Sequence, residues 1–267
     1  MANDILEELS ARRRRDAEER EACEPYEAVL ERAAAAPAAR DFCAAFVGGA
    51  HGGGRARVIA ELKRASPSEG MIREDFRPGE LAVELEAAGA AALSVLCEPH
   101  RFLGSEQYLR TARSVSKLPI LYKDFITTRY QIAEARAAGA DAVLLIAAVL
   151  DDRTLLDLKR CANALGMCAL VETHDEAEIR RAADLGCRLV GVNCRNLRNF
   201  KTDASLLPEL VAKIPKGTVR IAESGMHDAA AIRSARAAGA DGFLVGTALM
   251  RAENPAAALA AIATPDA

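Results

Sequence analysis

EARAAGADAVLLI, residues 134–146, carries the pattern on which the fold turns. It opens as the tail of an Ala-rich helix, passes through a glycine placed to cap that helix, and ends in an apolar run of strand length. Three other stretches keep the same order: LEAAGAAALSVL (85–96), RAADLGCRLVGVN (181–193) and ARAAGADGFLVG (235–246). Less regular copies bring the strand candidates to eight: 58–61, 92–96, 120–123, 142–146, 168–172, 189–193, 219–222 and 242–245. Helical patterns fill the gaps. Strands apolar on both faces that alternate with helices predict a parallel sheet covered by helices. Eight such units predict an α/β fold closed into a (β/α)8 (TIM) barrel. An open doubly wound sheet usually carries a Gly-rich turn after its first strand, and none follows residue 61.

Upstream of the barrel, residues 3 to about 47 read as one or two helices. Arg12 to Arg15, interleaved with Glu18, Glu19, Glu21 and Glu24, read as a solvated helix face. GGAHGGG (48–54) reads as a flexible connector and resembles no phosphate-binding fingerprint. The expected organisation is one barrel domain over 1–267, of which 1–54 is an N-terminal helical extension and connector.

Composition excludes several classes. The 267 residues are 51% hydrophobic, enough for one large core, and the formal charge of −3 gives no general attraction to nucleic acid. No apolar run has bilayer length, and the charged N-terminus is unlike a secretory signal. Seven scattered cysteines without a CxxC pair, and four isolated histidines, suggest reduced thiols in a cytoplasm and no metal centre. No cofactor is expected.

In such barrels the chemistry sits at the carboxyl ends of the strands. The stretch VIAELKRASPSEG (58–70) ends its strand with Glu61 and Lys63 on one face and Ile59 behind them, then turns through Ser66-Pro67-Ser68. A surface ion pair is the plain alternative for Glu61 and Lys63, and also for Lys123 beside Asp124. The other strand ends repeat the arrangement with Ser94, Lys123, Glu172, Asn193 with Arg195, Glu223-Ser224-Gly225 and Gly246-Thr247. Two lysines and several carboxylates around one partly dry cavity shift one another's proton affinities, as acid–base catalysis requires. Burial and a second lysine are expected to lower the Lys123 pKa, with Glu61 and Glu172 opposing. Glu172 beside His174 gathers too few donors for a metal site. Glycines after strands seven and eight, in AESGM and LVGTALM, point to a phosphate site built from backbone N–H groups. His100 and His227 read as exposed loop residues.

These residues resemble the indole-3-glycerol phosphate synthase family. The resemblance rests on IAELKRASPSEG, SVLCE with FLGS, PILYKDF, ALVETH, VGVNCRNL, AESGM and FLVGTALM, in order at the strand ends, and on PAARDF at 37–42. It covers about residues 35 to 252. Cys97, Cys194 and Thr127-Thr128-Arg129 depart from the family pattern, none of them at a reactive group.

The resemblance implies closure of 1-(2-carboxyphenylamino)-1-deoxyribulose 5-phosphate to indole-3-glycerol phosphate, CO2 and water. It implies Lys123 as general acid at ring closure, Lys63 on the substrate carboxylate and as acid in dehydration, and Glu172 as base. Glu61 would hold the lysines and the substrate hydroxyls, Asn193 and Ser224 would hydrogen-bond the substrate, and Arg195 would orient the site, with Glu223 also at the substrate. Ser66, Gly225, Gly246 and Thr247 would take the phosphate; Pro67, Phe102, Phe125 and Leu144 would form the slot for the benzene ring. The expected partner is a small phosphorylated molecule, with no nucleic acid and no membrane, and a monomer or weak homo-oligomer. Rival readings are a Schiff-base aldolase, whose strand-end lysine forms an imine, and a ligand sensor that kept the barrel without the chemistry.

Overall fold

The computed structural model describes residues 5–48, 54–195 and 203–264. Most of the expected connector (49–53), the start of the expected helical extension and the end of the VGVNCRNL motif lie outside them. Eight parallel strands close into a barrel: β1 (Val58–Leu62), β2 (Ala92–Leu96), β3 (Ile120–Lys123), β4 (Ala142–Ile146), β5 (Cys168–Thr173), β6 (Leu189–Val192), β7 (Val219–Ala222) and β8 (Gly242–Val245). Each pairs with its sequence neighbours, and β1 closes on β8 with Val58 beside Phe243. Every expected strand is present, within one residue at each end. A short hairpin, Ala65–Ser66 with Gly70–Met71, follows β1 and was not anticipated.

Alternation sorts the core. Val58, Ala60, Val143, Leu145, Val171 and Val245 face outward into the layer under the helices. Ile59, Leu121, Leu144, Leu170, Ile221 and Leu244 face inward and fill the barrel. Most helices between strands start on side-chain caps, as at Asp175 and Asp228, whose carboxylates accept the N–H groups of Glu178 and Ala231. Most end on glycines such as Gly139 and Gly239, whose φ angles of 96° and 101° belong to the left-handed region. The Thr127-Thr128-Arg129 departure is accommodated in the same way: Thr128 and Gln131 form a capping box on the helix Arg129–Ala137.

The N-terminal extension is two helices, α1 (Ile5–Cys23) and α2 (Tyr26–Ala35). Helix was expected as far as about residue 47, but α2 stops at Ala35. Pro37 is the reason, since the residue before a proline is steered out of the helical region, and Ala36 is extended at φ −67°, ψ 145°. The chain then turns under the barrel. Phe42 and Phe46, fully buried with ring centroids 5.4 Å apart, plug its amino end. The Phe46 ring occupies space that a side chain at residue 242 would need: a Cβ on Gly242 would lie 2.5 Å from a ring carbon. Each plug ring contributes on the order of 2–3 kcal/mol by burial.

Across the opposite end lies α1. Its Arg13, expected on a solvated face, is buried and ion-paired with Asp124, with Nη2 2.6 Å from Oδ2 and Nε 2.9 Å from Oδ1. The third Arg13 nitrogen, Nη1, meets Asp16 at 2.7 Å, and Asp16 in turn accepts from His100 at 2.7 Å. His100 is therefore half-buried and bonded, not a free loop residue; His227 is exposed as expected. Leu6 joins the same interior cluster as Leu144 and Ile146. The extension thus covers the barrel mouth and is fastened to the loop that follows Lys123.

Candidate active site

Strand alternation sends Glu61 and Lys63 from β1 into the mouth together. Lys63 Nζ lies 2.7 Å from Glu61 Oε1, and both side chains are buried. Burial alone would raise the Glu61 carboxyl; Lys63, then Lys123 and Arg195, outweigh it and hold it below the usual carboxylate range. Glu61 has room because the residue just after β8 is Gly246, where a Cβ would come within 2.4 Å of Oε1. Gly246 therefore has a packing duty that its motif alone did not show.

Lys123, at the end of β3, reaches Glu223 Oε2 at 3.2 Å and Glu172 Oε2 at 3.4 Å. The expected lowering of its pKa is overturned. Burial does pull it down, but the carboxylates of Glu223, Glu172 and Glu61 together hold the ammonium well above the ordinary lysine range. The carboxylates divide the opposite way. Glu223, buried and beside ionised Glu172, is pushed up to about 8 despite Lys123. Glu172 stays below the usual range because Lys123 and His174 outweigh its burial. Glu223 occupies space left by Gly191 on β6, where a Cβ would fall 1.8 Å from Oε1.

His174, two residues beyond Glu172 on the same face, lies between two carboxylates. Its Nδ1 is 3.1 Å from Glu178 Oε2 and its Nε2 3.3 Å from Glu172 Oε1. Burial lowers its affinity for protons, but the two glutamates raise the pKa to about 10, so the ring is an imidazolium.

Polar groups from β6 and β7 complete the mouth. The Asn193 side chain accepts the Arg195 N–H at 3.1 Å, and the Arg195 guanidinium donates to the Ser68 hydroxyl at 3.0 Å. The Cys194 N–H donates to Ser224 Oγ at 2.7 Å, which leaves the Ser224 proton free to donate. That contact is through the backbone, so the Cys194 departure does not disturb it.

The cavity these groups enclose has a volume of about 420 Å³. Every residue given a role from the resemblance lines it except Ser66, and Ser94, expected at a strand end, is buried within β2 away from it. Ser66 is buried in the short hairpin with its hydroxyl 3.5 Å from that of Ser68. At one side Phe102 and Phe125 stand with ring centroids 6.2 Å apart and tilted by 45°, with Pro67 and Leu144 also on the wall. At the other, Gly225, Gly246 and Thr247 line the same space. Sequence reasoning missed Glu98, whose buried carboxylate accepts the N–H groups of His100, Arg101 and Phe102 at 2.7, 2.7 and 2.9 Å and so fixes the loop bearing Phe102. Its signal was an acid closing SVLCE just before a loop.

The family model for indole-3-glycerol phosphate synthase matches residues 6–262. An indole-3-glycerol phosphate synthase from Azoarcus sp. (strain BH72) is 46% identical over 264 residues, 97% of this chain and 99% of that protein. One from Variovorax paradoxus (strain S110) is 45% identical over 263 residues, covering 97% and 98%. Among solved structures, 3-hexulose-6-phosphate synthase from Salmonella typhimurium superposes with a TM-score of 0.62 at 16% identity, covering 78% of this chain and 96% of that one. At that identity the likeness is one of fold.

Proposed function

The chain belongs to the indole-3-glycerol phosphate synthase family, and from that premise we propose how its pocket carries out the reaction. The protein is a decarboxylating lyase of tryptophan biosynthesis acting on a phosphorylated small molecule. The observation that carries the proposal is the Lys123 ammonium held between Glu172 and Glu223 at the wall of the cavity.

The substrate's benzoate ring enters between Phe102 and Phe125, against Pro67 and Leu144. Its carboxylate meets Lys63, and its phosphate meets the backbone N–H groups at Gly225, Gly246 and Thr247. Ser66 shapes the loop carrying Pro67 and Ser68. Stretched between these anchors, the ring carbon bearing the carboxylate faces the ketone. As it attacks, negative charge grows on the ketone oxygen and Lys123 donates its proton there. The carbon–carboxylate bond then breaks, CO2 leaves and aromaticity returns. Lys63 protonates the departing hydroxyl, Glu172 takes the proton from the neighbouring carbon, and water leaves. Glu61 holds Lys63, while Asn193, Ser224 and Arg195 orient the substrate hydroxyls. Glu223 steadies Lys123 alongside Glu172.

We propose further that the whole chain acts as one catalytic domain, in the cytoplasm, as a monomer or weak homo-oligomer without nucleic acid. Among the described residues no helix is long and apolar enough to cross a membrane. The deciding experiment is turnover of the carboxyphenylamino sugar phosphate followed by indole fluorescence, for which a chain with no Trp gives a dark background. Indole formation supports the assignment; an unreacted substrate with a folded protein contradicts it.

A further inference from the structure

At the end of the barrel away from this site, Cys43 Sγ lies 3.1 Å from Cys168 Sγ, closer than two sulfurs in ordinary contact. Cys43 belongs to the turn between Phe42 and Phe46, and Cys168 opens β5. Both are partly buried, within reach of small molecules, and both are free thiols. We propose that Cys43 and Cys168 form an oxidation site that reacts with a hydroperoxide to give a disulfide, locking the Phe42/Phe46 plug to the barrel.

Three observations carry this. The sulfurs need approach by only about 1 Å to reach bonding distance. The environment differentiates the pair: the Cys43 hydrogen bond, against burial, draws the Cys168 thiol down to about 7, helped by the N–H groups of Cys43 and Phe42, while Cys43 is raised. Asp41 opposes ionisation of either sulfur, and Arg188 favours that of Cys43. Cys168, accepting the Cys43 hydrogen bond, is the sulfur placed to react first and Cys43 the one to resolve. Finally, the neighbours do not complete a metal site, since Asp41 is the one further donor grouped with the pair among the described residues.

The chemistry balances without another reagent. With hydrogen peroxide, the Cys168 thiolate attacks one oxygen, the O–O bond breaks, and hydroxide leaves and takes a proton from solvent as water. The Cys43 sulfur then attacks the resulting sulfenic acid, the S–O bond breaks, and a second water leaves. Two thiols are oxidised and one hydroperoxide is reduced; a dithiol reverses the step. The bond would close a loop across 125 positions of sequence, restricting the unfolded chain strongly. Glu172 sits about 13 Å further up β5, so the active site is not rearranged.

The test is to treat the reduced full-length protein with stoichiometric hydrogen peroxide and map its peptides without reduction. Fragmentation must separate Cys168 from Cys161, which shares its tryptic peptide. The expected result is a Cys43–Cys168 link, a thermal midpoint about 5–10 °C higher, return on adding a dithiol, and unchanged kcat. Cys43→Ser and Cys168→Ser should show neither link nor shift. Linkage through other cysteines, sulfinic acid at Cys168 beside an unreacted Cys43, or a link that leaves the midpoint unmoved would overturn the proposal. The peptide map of the unmutated protein decides even if a variant folds poorly.

Discussion

The Lys123 ammonium stands 3.2 Å from one oxygen of Glu223, while the other oxygen of that buried carboxyl has no hydrogen-bond partner among the described residues. A carboxylate left half-satisfied in a dry pocket binds a proton more tightly. The arrangement therefore raises the proton affinity of Glu223 while Lys123 keeps its ammonium beside it. The other oxygen is packed against Gly191 on β6.

Crowding that carboxyl should disable the pocket. Gly191→Ala places a methyl group where Glu223 now lies. Steady-state kinetics should show kcat reduced by about two orders of magnitude, with the variant still folded. An alanine variant of full activity would mean that the position of Glu223 is immaterial.

The anion end has its own test. Inorganic sulfate or phosphate should compete with substrate, and a crystal soaked in sulfate should hold the ion near Gly225 and Gly246. An ion bound elsewhere in the cavity, with this end empty, would displace the phosphate assignment.

Arg13→Met leaves Asp124 buried without its partner. Loss of one member of a buried ion pair typically costs about 3–5 kcal/mol, and urea unfolding should show it. Activity should fall as well, because Asp124 adjoins Lys123 and its carboxylate also accepts the Phe125 N–H at 2.8 Å. A variant as stable as the parent would make the latch between α1 and the barrel mouth incidental.

His174 predicts a pH signature. Its folded pKa of about 10 lies above the unfolded value near 6.5. Its stabilisation is therefore complete below about pH 6.5 and is lost as pH rises through about 10. His174→Gln should be less stable than the parent by roughly 2–4 kcal/mol at pH 6, and the gap should close toward pH 10. A gap constant across that range would show that the ring is neutral in the fold.

The strands and the mouth residues were legible because their information is local. A period of two puts Ile59, Glu61 and Lys63 on one face whatever the rest of the chain does, and a Gly-capped helix before a strand is visible in a dozen residues. What the sequence hid is long-range. Arg13 looks like one of several exposed arginines until Asp124, 111 positions away, is brought to it. His100 looks like a loop residue until Asp16 reaches it. Phe42 and Phe46 are spaced as on a helix face, yet they serve as a plug after Pro37 ends the helix. The lysine count suggested mutual repulsion at Lys123, but the nearest groups are carboxylates, and distance decides which charge wins.

The central claim is that Lys123 supplies the proton for ring closure. Lys123→Met keeps the stem and removes the proton. Its steady-state kinetics should show kcat and kcat/KM falling together by roughly two to four orders of magnitude, with KM little changed, since Lys63 and the phosphate end still bind substrate. A nearly unchanged kcat with a raised KM would contradict the account, making Lys123 a binding residue and moving the acid to Lys63.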